Sequence, residues 1–146
     1  MSDLLCFHAF ENIYGVPLDM IKESFDEQKV TPVPRLNPVF TGLCNHKGII
    51  YPVLSFSKLL HKNIPDKRCC MLLLHVDKYQ LILRMNDVPF IIYESMLTQD
   101  MPYDSTSELV KIDRLCMQED RCIYMLDMKQ MLDELSEHIL DKSYGI

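Results

Sequence analysis

The chain has 146 residues, 48% hydrophobic and 25% charged, the balance of one globular domain, or of two small subdomains sharing a core. Fifteen basic residues against 21 acidic ones leave a formal charge of −6. That excludes a sequence-independent nucleic-acid binder, which needs a basic face to displace counterions, and equally an anionic membrane surface as partner.

Met1-Ser2-Asp3 lacks the basic region of a signal peptide. The apolar run at 4–10 is too short to span a bilayer and contains His8. The expectation is a cytoplasmic protein without direct membrane insertion. Its six cysteines, Cys6, Cys44, Cys69, Cys70, Cys116 and Cys122, are then reduced and act mainly as small core hydrophobes rather than disulfides.

Short apolar runs separated by turn-forming residues predict an all-β protein. Strands are expected at 4–10 and 13–18 around Glu11-Asn12, and a third run holds Thr31 and Val33. Three prolines within 32–38 predict an extended loop. A strand over 39–44, a turn at 45–48 and a strand over 49–54 follow. Pro52 cannot donate to a ladder, so its strand lies at an edge or is bulged at that point. A linker between two halves falls near 61–68, which holds Pro65 and several charges.

The clearest hairpin pairs 70–76 with 79–85 around Asp77-Lys78, with another turn at Asn86-Asp87 before 88–93. The polar stretch 99–107 reads as a surface loop, and 122–126 as the last strand. Met128, Met131, Leu132, Leu135 and Ile139 then recur at spacings of three and four, predicting an amphipathic helix over 127–141. Asp127 is its N-cap, Gln130 suits a capping box, and 143–146 is a frayed tail.

Catalytic and metal chemistry find little purchase. There is no Cys-x-x-Cys, no His-Glu-x-x-His, no Gly-x-Ser-x-Gly and no phosphate-cradling loop. Cys44 and His46 share one face of a strand and are the best candidate metal pair, for a small β-barrel metal protein or enzyme. The plainer reading is a core cysteine beside a surface histidine. Cys69 and Cys70 point to opposite faces of a strand and cannot chelate jointly there. His8 and His75, flanked by apolar strand residues, read as core or edge histidines. Met125, Met128 and Met131 follow the buried helix stripe and read as core filler rather than an adaptable docking surface. The acidic residues of 133–141 read as a solvated helix face. No catalytic residue, metal or cofactor is expected.

A family resemblance enters through an ordered set of segments. They are Tyr14-Gly15-Val16, Ile21-Lys22-Glu23, Val30-Thr31-Pro32-Val33-Pro34, Phe40-Thr41-Gly42-Leu43-Cys44-Asn45-His46-Lys47-Gly48 and Ile49-Ile50-Tyr51-Pro52-Val53-Leu54, leading to Leu59-Leu60. In order and spacing they resemble the first half of CheW-like domains. Met85-Asn86-Asp87-Val88 and Ile123-Tyr124-Met125-Leu126-Asp127 match the second half more loosely.

The resemblance implies a single CheW-like domain over 1–146, built as two intertwined five-stranded SH3-like β-barrels sharing one core. It implies a non-catalytic adaptor, a scaffold of chemotaxis signal transduction and two-component systems. Its partners would be the cytoplasmic tip of a chemoreceptor (methyl-accepting chemotaxis protein) and the regulatory domain of a CheA-type histidine kinase. Partner-binding residues by this match are Ile21, Glu23, Asn45, His46, Lys47, Gly48 and Pro52, with Gly42 and Gly48 as structural turns.

The chain departs from the family pattern at five places. Lys47 replaces the usual arginine, His46 an apolar residue, Ser55 a common aspartate, and Ile82 and Arg114 two glycines. These departures admit a diverged scaffold serving another signalling system.

Overall fold

The computed structural model describes residues 3–62, 70–103 and 109–137. The chain starts one sheet, leaves it to build a second, and returns to finish the first. Strands β1 (Leu4–Ala9) and β2 (Asn12–Pro17) open the first sheet. β3 (Ile21–Asp26), β4 (Phe40–His46), β5 (Ile49–Ser55), β6 (Cys70–Val76) and β7 (Tyr79–Met85) make the second. β8 (Phe90–Ile92), β9 (Gln99–Pro102), β10 (Ile112–Gln118) and β11 (Arg121–Leu126) return to the first. A one-turn helix, α1 (Phe56–Leu59), follows β5, and α2 (Met128–Ser136) follows β11.

The second sheet runs β3-β6-β7-β5-β4; the first runs β8-β1-β2-β11-β10-β9. This is the intertwined mainly-β arrangement with a closing helix that the family resemblance implies. The first sheet has six strands rather than five because β8 adds antiparallel to β1. Among the described residues each sheet contains one parallel pair joining strands distant in sequence, β2 with β11 and β5 with β7.

The near-continuous apolar runs have a specific cause. Side chains alternate across a strand, and here both faces are covered. In β1, Leu5 and Phe7 enter a central core while Leu4 and Cys6 enter a second core with Ile92, Cys116, Ile123 and Met125. In β7, Leu81, Leu83 and Met85 join the central core, and Ile82 joins Cys44, Tyr51, Val53 and Met71 in a third. Each sheet thus has an interior of its own, and the central core lies between the two, sealed by Phe56, Leu59 and the Met128, Met131, Leu132 and Leu135 stripe of α2.

The structure corrects several expectations. Of the run expected around Thr31 and Val33, only Thr31 pairs, in an isolated bridge to Leu43. β3 and β10 form strands the sequence reading left out, and Gln99–Pro102, read as loop, is the fully exposed edge strand β9. His8 and His75, read as core or edge histidines, are both exposed, beyond the ends of the second and third cores on the faces that hold Leu4 and Cys6, and Met71 and Leu73. α2 ends at Ser136 with Glu137 as its cap. The expected linker from 63 onward, the helix beyond 137, Cys69 and the tail lie outside the described residues. Among the described residues no helix is long and apolar enough to cross a membrane.

Candidate partner-docking site

β3 and β4 are the two edges of the second sheet, yet the sheet curls until they meet. Past β3 the backbone of Thr31 exchanges both ladder hydrogen bonds with Leu43, at 2.8 and 2.9 Å. Gly42 makes that closure possible. Its φ is +147°, and a Cβ there would sit 2.1 Å from the Thr31 carbonyl oxygen.

Side chains complete the seam. His46, 4% exposed, stacks on Phe25 of β3 with centroids 4.1 Å apart and planes at 12°. Its Nε2 lies 2.8 Å from Glu23 Oε2 and its Nδ1 3.1 Å from Gln28 Oε1. The Lys47 ammonium donates to the other Glu23 oxygen at 3.0 Å. The His46 hydrogen bond first, and the Lys47 one after it, hold the Glu23 carboxyl below the usual carboxylate range. Cys44, on the same face as His46, donates its thiol to Gln28 Oε1 at 3.7 Å, and burial pushes that thiol up.

Lys47 and Gly48 form the two-residue turn between β4 and β5, with φ of +53° and +88°. That double positive φ suits the right-handed twist of a hairpin. Gly48 N donates to Asn45 Oδ1 at 3.0 Å. Beyond the turn Ile49 and Ile50 are 55% and 57% exposed, because β7 joins β5 only from Val53. The first half of β5 is therefore a local edge, and Pro52, opposite Leu43, sits where its missing N–H is needed least.

The sequence-derived residues thus fall into three situations. Glu23, Asn45, His46, Lys47 and Gly48 come together at the turn. Ile21 starts β3 and packs half-buried against the central core, separated from Glu23 by a bulge. Pro52 stands further down β5. His46, read as a surface residue beside a core cysteine, is instead buried, since the β3 edge folds over it. Sequence reasoning missed Phe25 and Gln28. Phe25 was readable from the alternation of Ile21, Glu23 and Phe25 against Lys22, Ser24 and Asp26, whereas Gln28 lies in an exposed polar stretch that carries no signal.

Three departures from the family pattern have physical counterparts. The Ser55 hydroxyl caps α1 by accepting from Lys58 N and bonds Ser57 at 3.0 Å, work an aspartate could also do. Ile82 fills the third core. Arg114 flanks the β10 bulge and pairs with Asp100 at 3.2 Å.

Comparison with known proteins places this architecture. The CheW-like domain profile matches residues 3–136. The chain is 24% identical over 128 residues to the chemotaxis protein CheW of Bacillus subtilis (strain 168), covering 84% of this chain and 81% of that protein. The crystal structure of the scaffolding protein TtCheW from Thermoanaerobacter tengcongensis superposes with a TM-score of 0.71 at 16% identity, over 86% of this chain and 88% of that one. With a family match reaching from before β1 to the end of α2, the chain belongs to the CheW-like domain family.

Proposed function

We propose that this protein is a cytoplasmic, non-enzymatic CheW-like adaptor of chemotaxis signalling, coupling the cytoplasmic tip of a chemoreceptor to the regulatory domain of a CheA-type histidine kinase. The family match over residues 3–136 carries this reading. The names of its relatives, a chemotaxis protein and a scaffolding protein, agree with it.

The docking region comprises Ile21, Glu23, Asn45, His46, Lys47, Gly48 and Pro52. Lys47, its side chain 73% exposed, offers two further ammonium donors, and the exposed Ile49 and Ile50 follow the turn on opposite faces of β5. Glu23 and the buried His46 support Lys47 from beneath, and the open edge of β5 before Pro52 offers backbone groups to a partner.

Calorimetry of the full chain against a kinase regulatory domain and a receptor tip from the same cell tests the reading. Saturable binding to both is expected, and binding to neither removes the adaptor role. Lys47→Arg sharpens the test. A guanidinium makes planar bidentate contacts that an ammonium cannot, so affinity should rise about threefold to tenfold. Unchanged affinity counts against this turn as the contact surface.

A further inference from the structure

The His46 ring is too buried to reach a partner, yet both of its nitrogens are engaged. One faces Glu23, a carboxylate on the β3 edge; the other faces Gln28, on the segment that follows β3. Its flat face lies on Phe25 of the same edge. Three neighbours from one side of the seam therefore fix this ring, and the ring fixes one oxygen of Glu23. The other oxygen is left aimed outward, where Lys47 meets it at 3.0 Å.

Lysine on a left-handed turn residue is otherwise a long side chain with several free rotors. A partner that used its ammonium would have to freeze them. We propose that His46 is a positioning residue of the β4–β5 turn: by locking Glu23 it locks Lys47, so that the turn presents an ammonium at a preset place. The matching partner group is a carboxylate or carbonyl oxygen. This inference rests on the docking role proposed above for the same turn. It also gives the histidine at an apolar family position a function: the ring keeps the stack that a hydrophobe would supply and adds a hold on Glu23. The titratable or charged groups around the ring are Glu23 from β3, Cys44 from its own strand and Lys47 from the turn, with Gln28 as the uncharged fourth neighbour.

The test is a carbon-13 carboxyl titration of Glu23 in the full chain, comparing wild type with His46→Phe and His46→Gln. Phenylalanine keeps the stack on Phe25 and removes both hydrogen bonds; glutamine keeps a donor and serves equally if the first variant does not fold. The Glu23 midpoint, held low chiefly by His46, should rise in His46→Phe and return part of the way in His46→Gln. Affinity for the kinase regulatory domain or receptor tip should fall about tenfold in His46→Phe, with partial rescue by glutamine. An unmoved Glu23 midpoint overturns the positioning role whatever the partners do. A raised midpoint with unchanged affinity overturns its consequence for docking. Should the wild type bind neither partner, the adaptor reading fails, and the titration still decides whether His46 positions Glu23.

Discussion

Gly42 and Gly48 both have positive φ, but they answer different needs, and substitution separates them. Gly48 faces open space, so an added Cβ meets nothing and only the backbone conformation resists. Gly42 faces the Thr31 carbonyl, where a Cβ would lie 2.1 Å from oxygen that belongs to the backbone and cannot rotate away. Gly48→Ala should therefore cost about 1 kcal/mol, the price of a left-handed residue with a side chain. Gly42→Ala adds a clash to that strain and breaks the Thr31–Leu43 bridge, so its cost should be about 2–3 kcal/mol. Urea midpoints of the two variants decide the matter: equal losses would mean that Gly42 is not held by close approach. The sequence shows that both positions bracket a turn. It does not show which contact each serves, because Thr31 is eleven residues from Gly42 in a short run cut by prolines, whose strand pattern names no partner.

The elements differ in legibility for reasons of burial. The β6–β7 hairpin stands out because both of its faces are covered and its apolar run is nearly unbroken. β9 shows nothing, since an edge strand with every residue exposed needs no apolar side chain. β10 is masked by Asp113 and Arg114, which fall at its bulge. β3 carries a clean alternation of half-buried and exposed residues, but its single strongly apolar pair, Ile21 and Phe25, is thin beside neighbouring runs.

The start of α2 is legible through Asp127, whose carboxylate accepts from Gln130 N at 3.1 Å. The reciprocal half of a capping box is absent, because the Asp127 N–H donates to the Lys111 carbonyl at 2.9 Å and so ties the helix to the segment before β10. Asp127→Ala should cost about 1 kcal/mol, the usual loss of an N-cap. Asp127→Asn should recover most of it, since the amide oxygen can still accept. Thermal melts of both variants check this; an alanine variant as stable as wild type would show that the tie to Lys111, rather than the cap, sets the helix start.

At the scale of the whole molecule, two opposing sets of carboxylates shape the response to acid. Glu23 is held low by His46 and Lys47, and Asp133 by Tyr79 and Lys129. A depressed folded value gives stability that is present above the unfolded carboxylate range, near pH 4, and is lost as pH falls through the folded value. Asp113 is raised, mainly by burial, so its penalty at neutral pH is relieved on acidification. Melting temperatures should decline below about pH 4, and Glu23→Gln should flatten that decline while leaving a residue from Asp133. A decline of equal steepness in the variant would show that Glu23 carries no linked stability.

The arrangement of the three cores argues for one cooperative unit. The central core draws Leu5, Phe7 and Val16 from the first sheet and Leu72, Leu74 and Leu83 from the second, and α2 covers it. The same strands feed the private cores from their opposite faces, so neither sheet can lose its interior without stripping one side of the shared one. The chain crossing adds to this: the first sheet is incomplete until β8–β11 arrive, after the whole second sheet. Calorimetry should show a single transition with matching calorimetric and van't Hoff enthalpies, on the order of 100 kcal/mol for a chain of this length. Leu72→Ala removes a fully buried side chain of the second sheet and should cost about 2–5 kcal/mol. Because Leu72 packs into the shared core, amide exchange in β1 and β2 of the first sheet should accelerate by the same factor as in β6 and β7. Two calorimetric transitions, or faster exchange confined to the second sheet, would show that the halves unfold separately.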